Sequence, residues 1–285
     1  MTNGLLVLDK PSGITSRDAV DRAATWFPRK TKIGHAGTLD PLATGVLVLA
    51  VGQATRLIEY VQAMPKAYRT RIRLGATSDT DDADGTVTEN PSATPAAEPG
   101  VRTALAAFIG QVEQVPPAYS AARVDGRRAH ALARKGTAVE LAPRRVRVDR
   151  IDVREYHWPE LELDVSCGKG TYIRSIARDL GRALGVGGHV TVLRRLAIGP
   201  FTVETAVSLE ADGEAARRKL QPMAAAVSGL PSLRVSPDEI RRLRTGRVIP
   251  VTDEGEMAVL DAAGELVAVG RAAGGWLKPE KVIGG

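Results

Sequence analysis

A glycine-rich turn that runs straight into six apolar residues constrains this chain more than any other feature. Residues 34–45 read Gly-His-Ala-Gly-Thr-Leu-Asp-Pro-Leu-Ala-Thr-Gly, and residues 46–51 read Val-Leu-Val-Leu-Ala-Val. A short unbroken apolar run bounded by turn residues predicts a buried strand. Gly34, Gly37 and Gly45 permit tight bends and let another molecule approach the backbone closely. Pro41 has no N–H to donate and turns Asp40 away from helical geometry. A single carboxylate, Asp40, is thereby expected on a stiff loop at the start of a buried strand, within reach of a substrate. Asp-Pro alone does no more than open a turn. The whole string is what points to chemistry.

The rest of the chain alternates short strands with short helices. Residues 5–8 predict a buried strand that ends in the turn Asp9-Lys10-Pro11-Ser12-Gly13. A helix follows, capped by Thr15 or Ser16, with Ala19, Val20, Ala23 and Ala24 on one face. Residues 54–62 predict another short helix. Residues 68–74 alternate with period two, as a half-exposed strand does. Residues 90–100, rich in Pro, Ala and Ser, read as a surface linker before a helix over 101–109. Residues 171–185 predict a helix with Ile173, Ile176, Ala177, Leu180 and Leu184 on one face and Arg174, Arg178 and Arg182 on the other. Gly181 and Gly185 stand where that helix should stop. From about residue 231 the composition shifts to a helix over 237–245 and strand-like pieces at 257–260 and 266–269, joined by an Asp-Ala-Ala-Gly turn. This predicts a small β-rich appendage of about 55 residues, near the lower limit for independent folding.

At 285 residues the chain has room for one large and one small domain. Its 44% hydrophobic and 25% charged residues are ordinary for a globular protein. The net charge of +6 tilts the reading towards a polyanionic partner. Nine basic residues fall within 121–150: Arg123, Arg127, Arg128, Arg134, Lys135, Arg144, Arg145, Arg147 and Arg150. A charge run is more often a solvated face. Here it follows Val115-Pro116-Pro117-Ala118-Tyr119-Ser120, a stiff entry that suits a loop clamping a phosphate backbone.

Cys167 is the single cysteine, so no internal disulfide forms, and its strand-like context makes it a buried structural residue. Neither a signal peptide nor a bilayer-spanning segment is recognisable, which predicts a soluble protein of the reducing cytoplasm. Gly168-Lys169-Gly170 lacks the spacing of a P-loop, which excludes an NTPase of that kind. His130, His157 and His189 have no ligand spacing. The acidic loop 79–84 fails the register of a calcium-binding EF-hand and reads as a solvated turn.

Residues 34–45 closely resemble the active-site motif of the TruB family, the bacterial tRNA pseudouridine synthases that act at uridine 55 of the T arm. Lys10-Pro11-Ser12-Gly13-Ile14-Thr15-Ser16 is similar to the family's N-terminal motif, and 167–174, Cys-Gly-Lys-Gly-Thr-Tyr-Ile-Arg, to a later one. The resemblance implies that Asp40 is the nucleophile, that Tyr68 stacks on the target base, and that Arg174 pairs with the catalytic carboxylate and keeps it ionised. Tyr172 and Leu193 are implied to line the pocket, while His35 fills the place of the flipped nucleotide. Lys10 and Pro11 are implied to brace the catalytic loop. Arg123, Arg127, Arg128, Arg144 and Arg145 would contact the RNA backbone.

The fold implied is α+β: a pseudouridine synthase fold with a mixed, mostly antiparallel central sheet flanked by helices, and a small C-terminal β-rich PUA-like domain. The domains would be 1–228, catalytic, with a basic RNA-clamping loop at 117–147, and 229–285, a trimmed RNA-binding module. Isomerising a uridine needs no cofactor and no metal. The partner implied is the T stem-loop of tRNA, with no membrane, no obligate protein partner and a monomeric enzyme. Attack at C6 of the base, attack at C1′ of the sugar and a glycal route with Tyr68 as base all fit this residue set. A non-catalytic tRNA-binding or folding chaperone is the rival reading. The guide-RNA-dependent relatives of archaea and eukaryotes share the aspartate motif, but a sequence without long extensions reads as a stand-alone enzyme.

Overall fold

A computed structural model describes residues 2–120, 123–124, 127–128 and 141–284, with only the backbone for 123, 124, 127 and 128. Arg134, Lys135 and His130 therefore lie outside the described residues. Contacts divide the chain into two compact units. One comprises Met1–Asp40, Gly45–Met64 and Ile198–Gly285; the other comprises Pro41–Thr44 and Pro65–Ala197.

In the first unit, β1 (Gly4–Lys10) runs antiparallel to β3 (Thr44–Val51), with Lys10 opposite Gly45 and Gly4 opposite Val51. The short strand β2 (Ile33–His35) also pairs antiparallel with β3, placing His35 opposite Leu49. After β13 (Phe201–Thr202), β14 (Val207–Ser208) pairs parallel with β1. Val46, Val48 and Ala50 on one face of β3 join Leu5, Val7, Leu57 and Phe201 in a core, and Leu47, Leu49 and Val51 on the other face are fully buried too. The apolar run is thus a strand covered on both sides, as its composition requires.

Helix α1 (Ser16–Ala24) is capped by Thr15, whose side chain and that of Asp18 satisfy each other's backbone N–H groups in a capping box. Residues 54–62 are not one helix: a 3₁₀ turn, Gly52–Leu57, precedes α2 (Ile58–Ala63). Gly52, at φ +63, opens that turn.

The C-terminal part of this unit is a five-stranded sheet in the order β15-β17-β18-β19-β16, formed by Ser232–Arg234, Gly255–Leu260, Leu266–Ala273, Trp276–Val282 and Ile249–Pro250 respectively. Asp261 and Gly264 close the β17–β18 hairpin, with Gly264 at φ +87 and its N–H donating to the Asp261 carbonyl at 3.1 Å. Val235, Leu243, Met257, Val259, Val267 and Leu277 form a core of their own. Ala258, Leu266, Val269 and Ile283 instead join the core of β1 and β3.

In the second unit the strand order is β12-β4-β11-β10-β7, formed by Gly188–Ile198, Lys66–Leu74, Glu160–Cys167, Arg144–His157 and Gly110–Gln114. The pairings β4–β11, β11–β10 and β10–β7 are antiparallel. Short hairpins β5–β6 (Ala76–Ser78, Val87–Glu89) and β8–β9 (Arg123–Val124, Arg127–Arg128) are its other strands among the described residues. The alternation of 68–74 is real: Tyr68, Thr70, Ile72 and Leu74 are buried, while Arg69 pairs with Asp164, which stands directly opposite on β11.

Helix α3 (Glu98–Ala106) starts three residues before the predicted 101, because Pro99 is tolerated in a first turn that needs no intrahelical N–H. Helix α4 (Ile173–Ala183) is capped by Leu184, and Gly185 just beyond, at φ +72, suits the stop. Gly181 has another purpose. A Cβ there would lie 2.2 Å from the backbone of Gly187 and Gly188, so only glycine lets the returning chain pass the helix so closely. The remaining α-helices among the described residues are α5 (Gly213–Arg218) and α6 (Pro237–Arg244). No described helix is long and apolar enough to cross a membrane. The architecture is α+β with mixed, mostly antiparallel sheets and a β-rich C-terminal part.

Candidate active site

Asp40 lies half-buried on the loop between β2 and β3. Ala36 N–H donates to the Val48 carbonyl at 2.8 Å, tying the loop to β3, and Gly37 (φ +116) and Gly45 (φ +96) take conformations that other residues resist. The residue before Asp40 is fixed at both polar groups of its backbone. Leu39 N–H donates to Ser16 Oγ at 2.8 Å, and Ser16 Oγ donates to the Leu39 carbonyl at 3.0 Å. Ser16 is 2% exposed, so no water competes for these bonds.

Ser16 supplies the bracing that the resemblance implies for its neighbours Lys10 and Pro11. Lys10, itself fully buried, donates from Nζ to the Pro11 and Ile14 carbonyls, both at 2.8 Å, and so closes the turn that delivers Ser16. The signal was present in the Thr15-Ser16 pair: one hydroxyl caps the helix, leaving the other for a different partner. His35 ends β2, half-buried.

The second unit holds the other predicted residues. Tyr68 is buried on β4, opposite Val165 of β11. Leu193 is buried on the neighbouring strand β12. Tyr172 occupies the position before α4, and Arg174 lies in the first turn. Arg174 is 3% exposed and is not on a solvated helix face. Its Nη1 donates to the Thr80 carbonyl at 2.8 Å and meets Asp82 at 3.2 Å, and its Nη2 donates to the Tyr119 carbonyl at 2.9 Å.

The acidic loop 79–84 is correspondingly a solvated turn only in part: Asp79, Ala83 and Asp84 are exposed, but Asp81 and Asp82 turn inward. Asp82 is buried beneath Arg174, and Asp81 pairs with Arg178 at 2.9 Å. Asp84 accepts a hydrogen bond from Leu42 N–H at 3.1 Å. Burial raises the Asp81 carboxyl above its usual range, against the opposing pull of Arg178. Carboxylates buried this deeply need cations, and α4 supplies them.

Arg144 and Tyr172 are brought together, with the guanidinium carbon 5.2 Å from the ring centroid. Arg145 is exposed, opposite Glu113 on β7. Arg123 and Arg128 are cross-strand partners, as are Val124 and Arg127. Gln114, which nothing in the sequence singled out, holds the backbone of Tyr172. Cys167 is fully buried on β11, and burial pushes its thiol up to about 11, which suits a structural residue. Opposite it stands Lys66, whose ammonium is pushed down to about 8 by burial and by nearby Arg195.

Known proteins resemble the chain over its whole length. The model of the TruB family pseudouridylate synthase N-terminal domain matches residues 25–173. Models of the tRNA pseudouridylate synthase B C-terminal domain and of the tRNA pseudouridine synthase II C-terminus match 174–228 and 230–284. The chain is 43% identical to tRNA pseudouridine synthase B of Arthrobacter sp. (strain FB24), covering 99% of this chain and 97% of that one. It is 43% identical to the protein of the same name from Ruegeria pomeroyi, over 99% and 95% of the two chains. Among solved structures, a chain of a Cbf5-Nop10-Gar1 complex is 28% identical with a TM-score of 0.76, over 99% of this chain and 85% of that one. By sequence and by fold, the chain belongs to the TruB family of pseudouridylate synthases.

Proposed function

We propose that the protein isomerises uridine 55 in the T arm of tRNA to pseudouridine, with Asp40 as nucleophile. The observation that carries this reading is the way Asp40 is held. Ser16 fixes both backbone polar groups of the preceding residue, a proline follows, and glycines at positive φ flank the loop. A carboxylate presented on so stiff a loop is suited to attack rather than to packing.

In the reaction the N1–C1′ bond breaks and a C5–C1′ bond forms. The C5 proton leaves to solvent, and N1 takes one up. The target base must first be flipped out of the folded T arm, at a cost of a few kcal/mol of stacking. Tyr68 stacks on the extruded base and His35 takes its vacated place, offsetting that cost. Tyr172 and Leu193 line the base pocket. Arg174 supplies the positive charge that favours the ionised aspartate. Arg123, Arg127, Arg128 and Arg145 grip phosphates within a clamping segment at 117–147, and residues 229–285 form a second RNA-binding module beside a catalytic domain of 1–228. The enzyme acts as a monomer with no obligate protein partner.

The test is tritium release from a T-arm transcript carrying [5-³H]uridine. Release by wild type, its loss in Asp40→Asn, and its loss when uridine 55 is replaced are the expected results. Tight, salt-sensitive binding without release would place the protein among RNA-folding chaperones instead.

A further inference from the structure

Gln114 is the last residue of β7 and Arg144 the first of β10, and the two are direct partners in the antiparallel register. The segment between them, 115–143, carries most of the basic run, so this pair forms its neck. Both residues reach Tyr172. Gln114 is 4% exposed, and its amide makes a reciprocal pair with the tyrosine backbone. Its Nε2 donates to the Tyr172 carbonyl at 3.0 Å, and its Oε1 accepts from Tyr172 N–H at 2.8 Å. Arg144 lies over the ring of the same tyrosine, 5.2 Å from its centroid. One neck residue thus holds the main chain of Tyr172 and the other holds its side chain.

We propose that Gln114, together with Arg144, is a positioning residue that sets Tyr172 in the base pocket. This rests on the reading of Tyr172 as a pocket residue. Tyr172 is the N-cap of α4 and its side chain makes no capping bond to that helix, so its place is not set by a capping box, as that of Thr15 is. A neutral primary amide suits that role, since it offers a donor and an acceptor in the spacing of a peptide group without bringing a charge into a buried place. Arg144, which the basic run suggests as an RNA-backbone contact, places its guanidinium over the ring. A tyrosine released from both contacts would present its ring to the flipped base in more than one pose, and loss of orientation acts on turnover.

The experiment compares wild type, Gln114→Met and Gln114→Glu in the tritium-release assay from pH 5 to 8.5. In Gln114→Met the Tyr172 N–H loses its partner and the Tyr172 carbonyl keeps only the Ile176 N–H, and kcat should fall about 10- to 100-fold with KM little changed, at every pH. Gln114→Glu restores the donor and acceptor only when protonated. Its rate relative to wild type should therefore climb as pH falls through the carboxyl titration, a signature that general loosening of the fold does not produce. Where Gln114→Met fails to fold, judged by circular dichroism, the pH profile of Gln114→Glu decides alone. Arg144→Met should lower kcat while leaving the salt dependence of tRNA binding unchanged. A flattened salt dependence with normal kcat would return Arg144 to the phosphates. Variants that match an active wild type overturn the neck alone, whereas absence of release from wild type overturns the isomerase reading on which it rests.

Discussion

Arg174 lies buried against Asp82, its Nη1 3.2 Å from the carboxylate, although 92 positions separate them in the chain. Asp82 is itself fastened within its loop, accepting from Thr80 Oγ1 at 2.6 Å and from Asp84 N–H at 3.1 Å. Thr80 and Tyr119 each lend a carbonyl to the same guanidinium. The acidic loop is therefore the counter-charge and the mould of an arginine that the family resemblance places in catalysis.

Removing one partner of a buried ion pair withdraws counter-charge from the other, at a cost of up to about 3–5 kcal/mol. Asp82→Ala should lose stability within that bound, measured by urea unfolding, and turnover should fall with it. Asp82→Asn keeps acceptors for Thr80 and Asp84 but not the charge, so it should unfold at an intermediate urea concentration. An asparagine variant as stable and active as wild type would show that the charge of Asp82 is dispensable.

Ser16 offers a cleaner separation of structure from binding. Ser16→Ala leaves the buried N–H and carbonyl of Leu39 without their hydroxyl, a loss of about 1–3 kcal/mol. The freed peptide is the one that leads into Asp40, so tritium release should slow by about an order of magnitude. Filter binding of tRNA should change little, since Ser16 is buried. Equal losses of affinity and rate would argue that the brace shapes the RNA-binding surface rather than the nucleophile.

Lys66 gives the fold a pH signature. Burial first, and then Arg195, lower its ammonium from 10.5 to about 8. Between those values the unfolded chain holds a proton that the folded chain has given up, so stability contributed by this residue rises with pH across that window. Below pH 8 the folded state carries the charge at a penalty. Lys66→Met should accordingly be more stable than wild type at pH 7, and the gap should narrow as pH climbs from 8 towards 10.5. Thermal melts of both proteins across that range decide it, and a gap that widens would show the ammonium to be favourably held.

The sequence was legible wherever the cause of structure is local. The apolar run of β3, the alternation from Tyr68 to Leu74 and the Thr15 cap each follow from neighbours within a few residues. The α3 start was misplaced because the Pro- and Ala-rich composition of 90–100 masks a proline that a first turn accepts. The roles of Asp82 and Gln114 are hidden for another reason: their partners, Arg174 and Tyr172, are distant in sequence, and no period or spacing links them. Gly181 looked like a helix stop because its actual constraint, the passage of Gly187 and Gly188 against it, is tertiary.

The basic segment yields to a measurement that needs no structure of the complex. Each phosphate neutralised releases counterions, so the logarithm of affinity falls linearly with the logarithm of salt concentration, by about 0.7–0.9 per contact. Arg127 and Arg128 lie together on β9, whose partner β8 carries Arg123 opposite Arg128. If both arginines grip phosphates, the double substitution to alanine should flatten the slope for tRNA by about 1.4–1.8. The loss of affinity should also be largest at low salt and shrink as salt rises. A weakened but parallel salt plot would mean that the hairpin helps through shape instead, and an unchanged plot would remove these residues from the clamp altogether.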